Sequence, residues 1–145
     1  MKRILWVLFV LLGIVLIAGF FFIKTLKPDY DGELALESLQ QEVSVYYDSY
    51  GIPHIYGSNE KDAFRALGYV HAQDRLWQME LLRRIGKGQL SELFGKDLIS
   101  TDKFFLALGI DDASAKTVSQ LNKNDEGVQL TQAYLDGINS FLKEC

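Results

Sequence analysis

The segment SNEKDAFRALGYVHAQDRLWQMELLRRIG, residues 58–86, carries the clearest structural pattern in this chain of 145 residues. Apolar side chains recur every three or four positions between Ala63 and Ile85, as they do along one face of an amphipathic α-helix. Strongly polar residues occupy the middle of the segment, in HAQDRLWQME at 71–80. The pattern predicts a long helix, and its polar centre raises the question of whether the helix carries a functional site.

Residues that favour helix boundaries stand at both ends of this predicted helix. Ser58 or Asn59 can cap its amino terminus, and the acidic side chains that follow are favourable in the first turn. Gly86 is the predicted stop. Gly68 lies inside the helix, where glycine costs about 1 kcal/mol relative to alanine, so we expect another element to pack closely against it.

The residues before the helix predict a β-hairpin. VSVYYD at 43–48 and HIYG at 54–57 are rich in β-branched and aromatic residues, which suit strands. SYGIP lies between them and supplies Gly51 and Pro53 for a turn. The acidic segment at 28–42 is predicted to be a linker.

The residues after the helix predict further helices. QLSELF at 89–94 is typical of a short helix or turn that ends at Gly95, and Asp102 is placed to cap another segment, which contains Phe104, Phe105 and Leu108. Residues 113–121 predict another helix, and a last one begins at Asp125 or Glu126. A hairpin followed by several helices indicates the α+β class.

The first part of the chain is strongly apolar. ILWVLFVLLGIVLIAGFFFI at 4–23 contains no charge and has two basic residues on each flank. A helix of this length rises about 30 Å, the thickness of the hydrocarbon core of a bilayer. A cleaved signal peptide usually has a shorter apolar region and a small-residue cleavage site. A signal anchor or transmembrane helix over 1–27 is therefore favoured, with the remainder facing the periplasm or cell exterior; secretion to the periplasm after cleavage is the alternative.

The part of the chain after the apolar run is acidic. Four of the 15 basic residues flank the run, which leaves 11 basic residues against 19 acidic ones. A nucleic-acid partner would need a basic surface, so the composition argues against that class of function. Cys145 is the only cysteine, so no disulfide can form within the chain.

The spacing within HAQDRLWQME argues against a metal site. His71 and Asp74 stand at i and i+3, on one side of a helix, but a zinc-binding helix carries histidines at i and i+4 around a glutamate. His54 is the only other histidine. A structural role is favoured for His71, as a buried ring that is satisfied by hydrogen bonds.

Asp74, Arg75 and Glu80 could form a catalytic carboxylate pair with a cation. A structural ion-pair network is favoured instead, because arginine suits bidentate pairing with a carboxylate. Asp74 and Arg75 are adjacent and point about 100° apart on a helix, so we expect them to bind different partners.

Complete catalytic motifs are missing from the sequence. Gly86, Gly88 and Gly95 do not have the spacing of a phosphate-binding loop, and no Gly-x-Ser-x-Gly elbow occurs. The residues alone therefore predict a membrane-tethered α+β segment without a complete active site.

Several motifs, taken in order, resemble the start of the penicillin acylase family over residues 43–145. The hairpin matches the family's Asp-x-x-Gly-x-Pro-His-Ile, and the helix matches Gly-Tyr-x-x-Ala-Gln-Asp-Arg-x-x-Gln-Met. Arg-Arg-x-x-x-Gly, Glu-Leu-x-Gly and Tyr-x-x-Gly-x-Asn segments follow. The matching residues are Asp48, Gly51, Pro53, His54, Ile55, Gly68, Tyr69, Ala72, Gln73, Asp74, Arg75, Gln78, Met79, Arg83, Arg84, Gly88, Glu92, Leu93, Gly95, Tyr134, Gly137 and Asn139.

The resemblance implies an N-terminal nucleophile hydrolase that cleaves linear amides such as penicillins, cephalosporin side chains and N-acyl homoserine lactones. Members of the family are made as one precursor that cleaves itself into an α and a β chain. The new amino-terminal residue of the β chain, typically serine, is then the nucleophile, and its own amino group is the base. The implied fold is an αββα sandwich shared by both chains, and many members bind Ca²⁺.

The resemblance places no catalytic, cofactor or metal residue in this sequence, because those groups lie further along in the family. We therefore expect an N-terminal part of the α region, inactive alone, whose partners are the remainder of the α region and a β chain. Gln73, Asp74, Arg75 and Gln78 are expected to tie this part to the rest of the enzyme. The alternative is a small membrane-anchored interaction module without catalysis.

Overall fold

The structure is a computed structural model that describes residues 2–25, 31–36 and 39–144. The chain divides into two units, Met1–Leu34 and Ala35–Cys145. Parts of the predicted linker, residues 28–30 and 37–38, lie outside the described residues.

The first unit contains helix α1, Lys2–Thr25. Among the residues that the structure describes, no helix is both long enough and apolar enough to cross a membrane. The transmembrane helix predicted within 1–27 therefore finds no support in these residues.

The second unit is a two-stranded antiparallel sheet followed by helices, so its α+β class is as predicted. Its elements are β1 (Val43–Tyr47), β2 (Pro53–Gly57), α2 (Glu60–Lys87), α3 (Ser91–Phe94), a 3₁₀ turn (Lys96–Leu98), α4 (Ile99–Leu108), α5 (Ile110–Ser119) and α6 (Glu126–Glu144).

The predicted hairpin is confirmed. β1 and β2 pair antiparallel, with Val45 opposite Ile55 at the centre of the ladder. The strand ends differ from the prediction by one residue each, because Asp48 lies outside β1 and Pro53 opens β2. The hairpin packs on α2, which follows it after two residues.

Helix α2 begins as predicted but ends later. Asn59 is the cap, and its side chain accepts the backbone N–H three residues on. The predicted stop at Gly86 is wrong, because Gly86 remains helical and Gly88 ends the helix with a φ of 62°. A Cβ at Gly88 would lie 2.7 Å from the carbonyl oxygen of Asp102, so both the left-handed backbone and the space require glycine there.

The helices after α2 follow the prediction in number and depart from it in their bounds. The short helix starts at Ser91 rather than at residue 89, and α5 lies three residues earlier at its start than the predicted 113–121. Asp102 does not cap the segment that follows it. It lies buried inside α4, and its carboxylate accepts the N–H groups of Leu90 and Ser91, both at 2.8 Å.

The core of the second unit lies between α2 and α6. Two glycines let the two backbones approach closely: a Cβ on Gly68 would overlap the carbonyl oxygen of Tyr134, and one on Gly137 would overlap that of Arg65. The predicted close packing at Gly68 is therefore confirmed. The buried apolar residues here are Ala66, Tyr69, Val70, Ala72 and Ala133, and the Tyr69 ring meets Phe141 edge to face at 5.5 Å.

Candidate functional site

The long helix α2 is divided by a break in its backbone at Arg75. Arg75 has φ −129° and ψ 15°, which are not helical values. Every buried residue of the helix precedes this break. We name residues 60–74 the first half of α2 and residues 76–87 its second half.

Asp62 is the fully buried acid of the first half. Its carboxylate accepts the backbone N–H groups of Gln40 and Gln41 at 2.9–3.2 Å and the side-chain amide of Asn59 at 2.6 Å, and Arg65 adds an ion pair at 3.2 Å. Burial acts to raise the pKa of Asp62, but these donors and the arginine charge outweigh it, so the pKa lies below its usual value. The predicted linker therefore has a fixed end at residues 40–41.

The motif residues of the hairpin build its turn. The Asp48 carboxylate accepts the N–H groups of Tyr50 at 2.8 Å and Ile52 at 2.9 Å, and Gly51 adopts a φ of 75°. His54 lies beside the carboxylate, with its Nε2 3.5 Å from Asp48 Oδ2. The hydrogen bond from the Ile52 N–H is the main cause that lowers the pKa of Asp48. Partial burial opposes it, but the pKa stays below its usual value. Asp48 therefore acts as a turn residue, and His54 is its neighbour across the turn.

His71 differs in part from its prediction. Its side chain is exposed rather than buried, but Nδ1 does form a hydrogen bond, 2.6 Å from the hydroxyl of Tyr134 on α6. Tyr134 reaches the ring from one side and does not cover it. Burial raises the pKa of the Tyr134 hydroxyl above its usual value.

Asp74 and Arg75 bind each other, so the prediction of separate partners is wrong. Arg75 Nε donates to Asp74 Oδ2 at 2.7 Å. The prediction assumed regular helical geometry, in which neighbours point about 100° apart, and the non-helical backbone at Arg75 removes that condition. The two side chains are 68% and 58% exposed, so the pair contributes little to stability.

The other polar motif residues of α2 also face outward. Gln73 and Gln78 are exposed, and Met79 is half-buried. Gln73 accepts a long hydrogen bond from the Tyr47 hydroxyl at 3.5 Å, which connects the helix to the hairpin. The structure therefore places these motif residues on the surface of the second unit.

Glu80 is the centre of the ion-pair network in the second half. It accepts Nε–H donors from Arg83 and Arg84, each at 2.7 Å, and Arg84 Nη1 continues to Glu92 on α3 at 2.8 Å. Hydrogen bonding from Arg83, more than any other cause, lowers the pKa of Glu80 to about 2. The predicted structural network is present at Glu80, with Arg83 and Arg84 as partners instead of Arg75.

The two histidines have side-chain partners in the described ranges. His54 contacts Asp48 and His71 contacts Tyr134, so in this part of the chain neither ring is paired with a serine or threonine hydroxyl. Within the same ranges, no three histidine, cysteine, aspartate or glutamate side chains are grouped to hold a metal ion.

Asp62 and Asp102 are two buried structural anchors whose contacts sequence reasoning missed. A carboxylate three residues after an asparagine cap was a detectable signal for Asp62, because that spacing is typical of a capping box. No comparable signal exists for Asp102, whose partners Leu90 and Ser91 lie at the start of α3, twelve and eleven residues earlier in the chain. Gly95, one of the motif glycines, ends α3 with a φ of 88°.

A family model agrees with this arrangement. The penicillin amidase model matches residues 42–145, which include the whole hairpin and the helices that follow it. The chain belongs to the penicillin amidase family, which is a family of hydrolases.

Three curated relatives show the same likeness. The chain is 41% identical over 115 residues to the penicillin acylase 2 proenzyme of a Pseudomonas species, covering 79% of this chain and 15% of the relative. It is 37% identical over 106 residues to penicillin G acylase of Escherichia coli, covering 73% and 12%. It is 33% identical over 117 residues to acyl-homoserine lactone acylase QuiP of Pseudomonas fluorescens, covering 79% and 14%.

A solved structure extends the likeness to the fold. Thermostable penicillin G acylase from Alcaligenes faecalis superposes with a TM-score of 0.61 at 28% identity, over 73% of this chain and 55% of that chain. The chain thus spans only 12–15% of the length of the curated relatives named above, and it has the fold of a part of such enzymes.

Proposed function

We propose that the chain is the amino-terminal part of a penicillin acylase-like hydrolase that cleaves the carbon–nitrogen bond of linear amides. The observation that carries the proposal is the family match over residues 42–145, in which hairpin, kinked helix and ion-pair network occur in order. In this proposal the chain supplies scaffold and the remainder of the enzyme supplies the reacting groups.

The nucleophile of the proposed enzyme lies outside this chain. It is an amino-terminal serine, exposed when a precursor cleaves itself, whose α-amino group is a usable base because its unperturbed pKa is about 7.7–8.0. The serine oxygen attacks the amide carbonyl carbon, the amine product leaves with a proton, and water releases the acid from the acyl-enzyme.

Two substrate classes fit the proposal, since the relatives are named as penicillin acylases and an acyl-homoserine lactone acylase. One is the side-chain amide of a β-lactam antibiotic, and the other is an N-acyl homoserine lactone. Both contain a secondary amide between an acyl group and an amine. The acyl preference belongs to pocket residues outside this chain.

The same proposal places the enzyme outside the cytoplasm. Its support is the uncharged, apolar run at 4–23 with basic residues on both flanks. Fractionation of producing cells, with mass spectrometry of the amino terminus, tests this. Recovery of the unprocessed chain in the cytosol alone would contradict it.

A chimaera tests the proposed activity. Residues 42–145 replace the matching segment of the Pseudomonas penicillin acylase 2 proenzyme, and self-cleavage is followed by gel and mass spectrometry. Hydrolysis of phenylacetyl and N-acyl homoserine lactone amides is measured on the product. We expect self-cleavage and turnover in the chimaera and neither in the 145-residue chain alone.

Two outcomes would count against the proposal. One is a folded chimaera that neither cleaves itself nor hydrolyses either amide. The other is turnover by the chain alone, which would place the nucleophile within it. The alternative of an interaction module without catalysis would gain support from the first outcome.

A further inference from the structure

We propose that residues 31–36 are a proteolytic processing site, and that Asp62 stops trimming of the chain at Gln40 and Gln41. We name residues 31–36 the tether and Gln40–Gln41 the strap. A separate endoprotease hydrolyses one backbone amide of the tether: water adds across the C–N bond, which leaves a carboxylate on one product and an amine on the other. The cut separates α1 from the hairpin and the helices that follow it.

The tether has the features of a segment that proteases cut. It contains no helix or strand, and its first five residues are exposed. The boundary between the two units of the chain falls inside it, after Leu34. Exposed, irregular chain is where proteolytic nicking concentrates. A cut in the tether therefore leaves the hairpin and its helices intact as one unit.

The strap is held by a fully buried carboxylate. The two oxygens of Asp62 accept the N–H of Gln40 at 3.1 and 3.2 Å, and one of them accepts the N–H of Gln41 at 2.9 Å. Ser58 holds the strap as well, because its hydroxyl donates to Oε1 of Gln41. Hydrogen bonds to a charged acceptor are the strong ones. The strap is thus fixed to the start of α2, about twenty residues further along the chain.

The Asp62 carboxylate is also held by groups other than the strap. Asn59 Nδ2 donates to it at 2.6 Å, Asn59 Oδ1 accepts the Asp62 N–H at 2.9 Å, and Arg65 Nη1 lies 3.2 Å away. The acceptor is therefore positioned by the first turn of α2 itself. Release of the strap would leave a buried charge with fewer donors, which is unfavourable.

The place of the strap in the chain makes it a stop. Gln41 lies two residues before Val43, where β1 begins. A protease that trims past the tether must draw the strap away from Asp62 before it reaches β1. Cleavage of chain protected in this way depends on local opening, and its rate follows the population of the open form. Asp62 therefore protects the hairpin from its amino-terminal side.

Limited proteolysis tests this stop. The 145-residue chain is treated with subtilisin, and the products are followed by mass spectrometry. We expect products that begin at residues 32–36 to form first and products that begin at residues 41–47 to form slowly. Asp62→Asn keeps the shape of the side chain and removes its charge, so the products that begin at 41–47 should form at least about tenfold faster.

Asp102→Asn is the matched control. Asp102 is also a buried carboxylate that accepts two backbone N–H groups, but these belong to Leu90 and Ser91. Its products that begin at 41–47 should form within about twofold of the unsubstituted rate, whereas cuts within residues 89–95 should become more frequent. Circular dichroism checks that both variants keep their helix content.

Three results of the proteolysis would overturn the proposal. One is that no product begins in the tether, and another is that the products beginning at 41–47 form equally fast with and without Asp62→Asn. The third is that both variants change both regions alike, which would mean that the carboxylate acts through the stability of the whole unit.

Hydrogen exchange of the unsubstituted chain decides the matter if Asp62→Asn does not fold. The N–H groups of Gln40 and Gln41 should exchange at least about tenfold more slowly than those of the tether. Equal exchange rates in the strap and the tether would overturn the proposal. Neither measurement depends on turnover of an amide substrate, so the processing site and the proposed hydrolase activity can fail separately.

Discussion

The first half of α2 buries seven residues, whereas the second half buries none. The first half is held by backbone contact with α6 at Gly68 and by the buried carboxylate of Asp62. The second half is held by surface ion pairs around Glu80. The two halves of α2 therefore combine a packed anchor with a more exposed segment.

The difference between the halves has a clear energetic consequence. Close packing and buried hydrogen bonds are insensitive to salt and leave little tolerance for changes in volume. Exposed ion pairs are screened and contribute little each. Substitutions should therefore have large effects before the break at Arg75 and small effects after it.

Alanine in place of a glycine should give the largest contrast between the halves. In Gly68→Ala the new methyl group overlaps the Tyr134 carbonyl oxygen, so α6 must move away, and we expect a loss of about 3 kcal/mol in the free energy of unfolding. Urea unfolding followed by helical circular dichroism measures the effect.

Gly86→Ala is the matched control in the second half of the same helix. Within the described part of the chain its Cβ would meet only an Ile110 methyl group at 3.7 Å, an ordinary contact, so alanine should stabilise the helix by up to about 1 kcal/mol. Equal effects of the two substitutions would contradict the division of α2 into an anchored and an open half.

Removal of a carboxylate should give the next largest contrast. Asp62→Ala leaves the N–H groups of Gln40 and Gln41 and the Arg65 guanidinium without this acceptor in a buried place, and we expect a loss of about 2 kcal/mol. Hydrogen exchange at residues 40 and 41 should accelerate at the same time. Unfolding in urea and exchange measured by mass spectrometry check the two effects.

Asp74→Ala is the control for this substitution. Among the residues that the structure describes, Asp74 forms an ion pair with the adjacent, exposed Arg75 alone, so we expect a change within about 0.5 kcal/mol in the isolated chain. If Asp74→Ala lowered the free energy of unfolding as much as Asp62→Ala, the exposure of the carboxylate would not determine how much its removal destabilises the chain. In a complete enzyme we expect Asp74→Ala to impair folding or self-cleavage first.

Local chemistry made part of this structure predictable from the sequence. The hairpin, the long helix, the Asn59 cap and the close contact at Gly68 each depend on residue type and spacing within a short segment.

The remaining features depend on contacts that spacing does not encode. Asp74 pairs with Arg75 because the backbone is non-helical at Arg75. No proline or glycine stands next to Arg75, so the sequence does not predict this break. The exposure of His71 depends on how much of its ring α6 covers. The role of Asp102 depends on how α4 packs against the start of α3. These are tertiary contacts, and they override what each residue would do in an isolated helix.

Neutralising Glu80 should give the smallest effect and the clearest dependence on pH. Glu80→Gln weakens the acceptor for Arg83 and Arg84, so the second half and α3 should loosen slightly at pH 7. The pKa of Glu80 is lowered from 4.5 to about 2, so its contribution is present above pH 4.5 and disappears as the pH falls through about 2. The variant and the unsubstituted chain should therefore differ in urea midpoint at pH 7 and converge near pH 2.

Asp111→Asn provides the control for Glu80→Gln, because Asp111 is an exposed acid that meets Lys87 at 3.5 Å in the same region. The urea midpoint of Asp111→Asn should change less at pH 7 than that of Glu80→Gln, because the substitution removes a single exposed ion pair. High salt should reduce the Glu80 effect and leave the Gly68 effect unchanged, because screening acts on charges and not on overlapping atoms. A Glu80→Gln effect that persists at pH 2 would mean that this side chain stabilises the second half through packing, which would make the two halves of α2 alike.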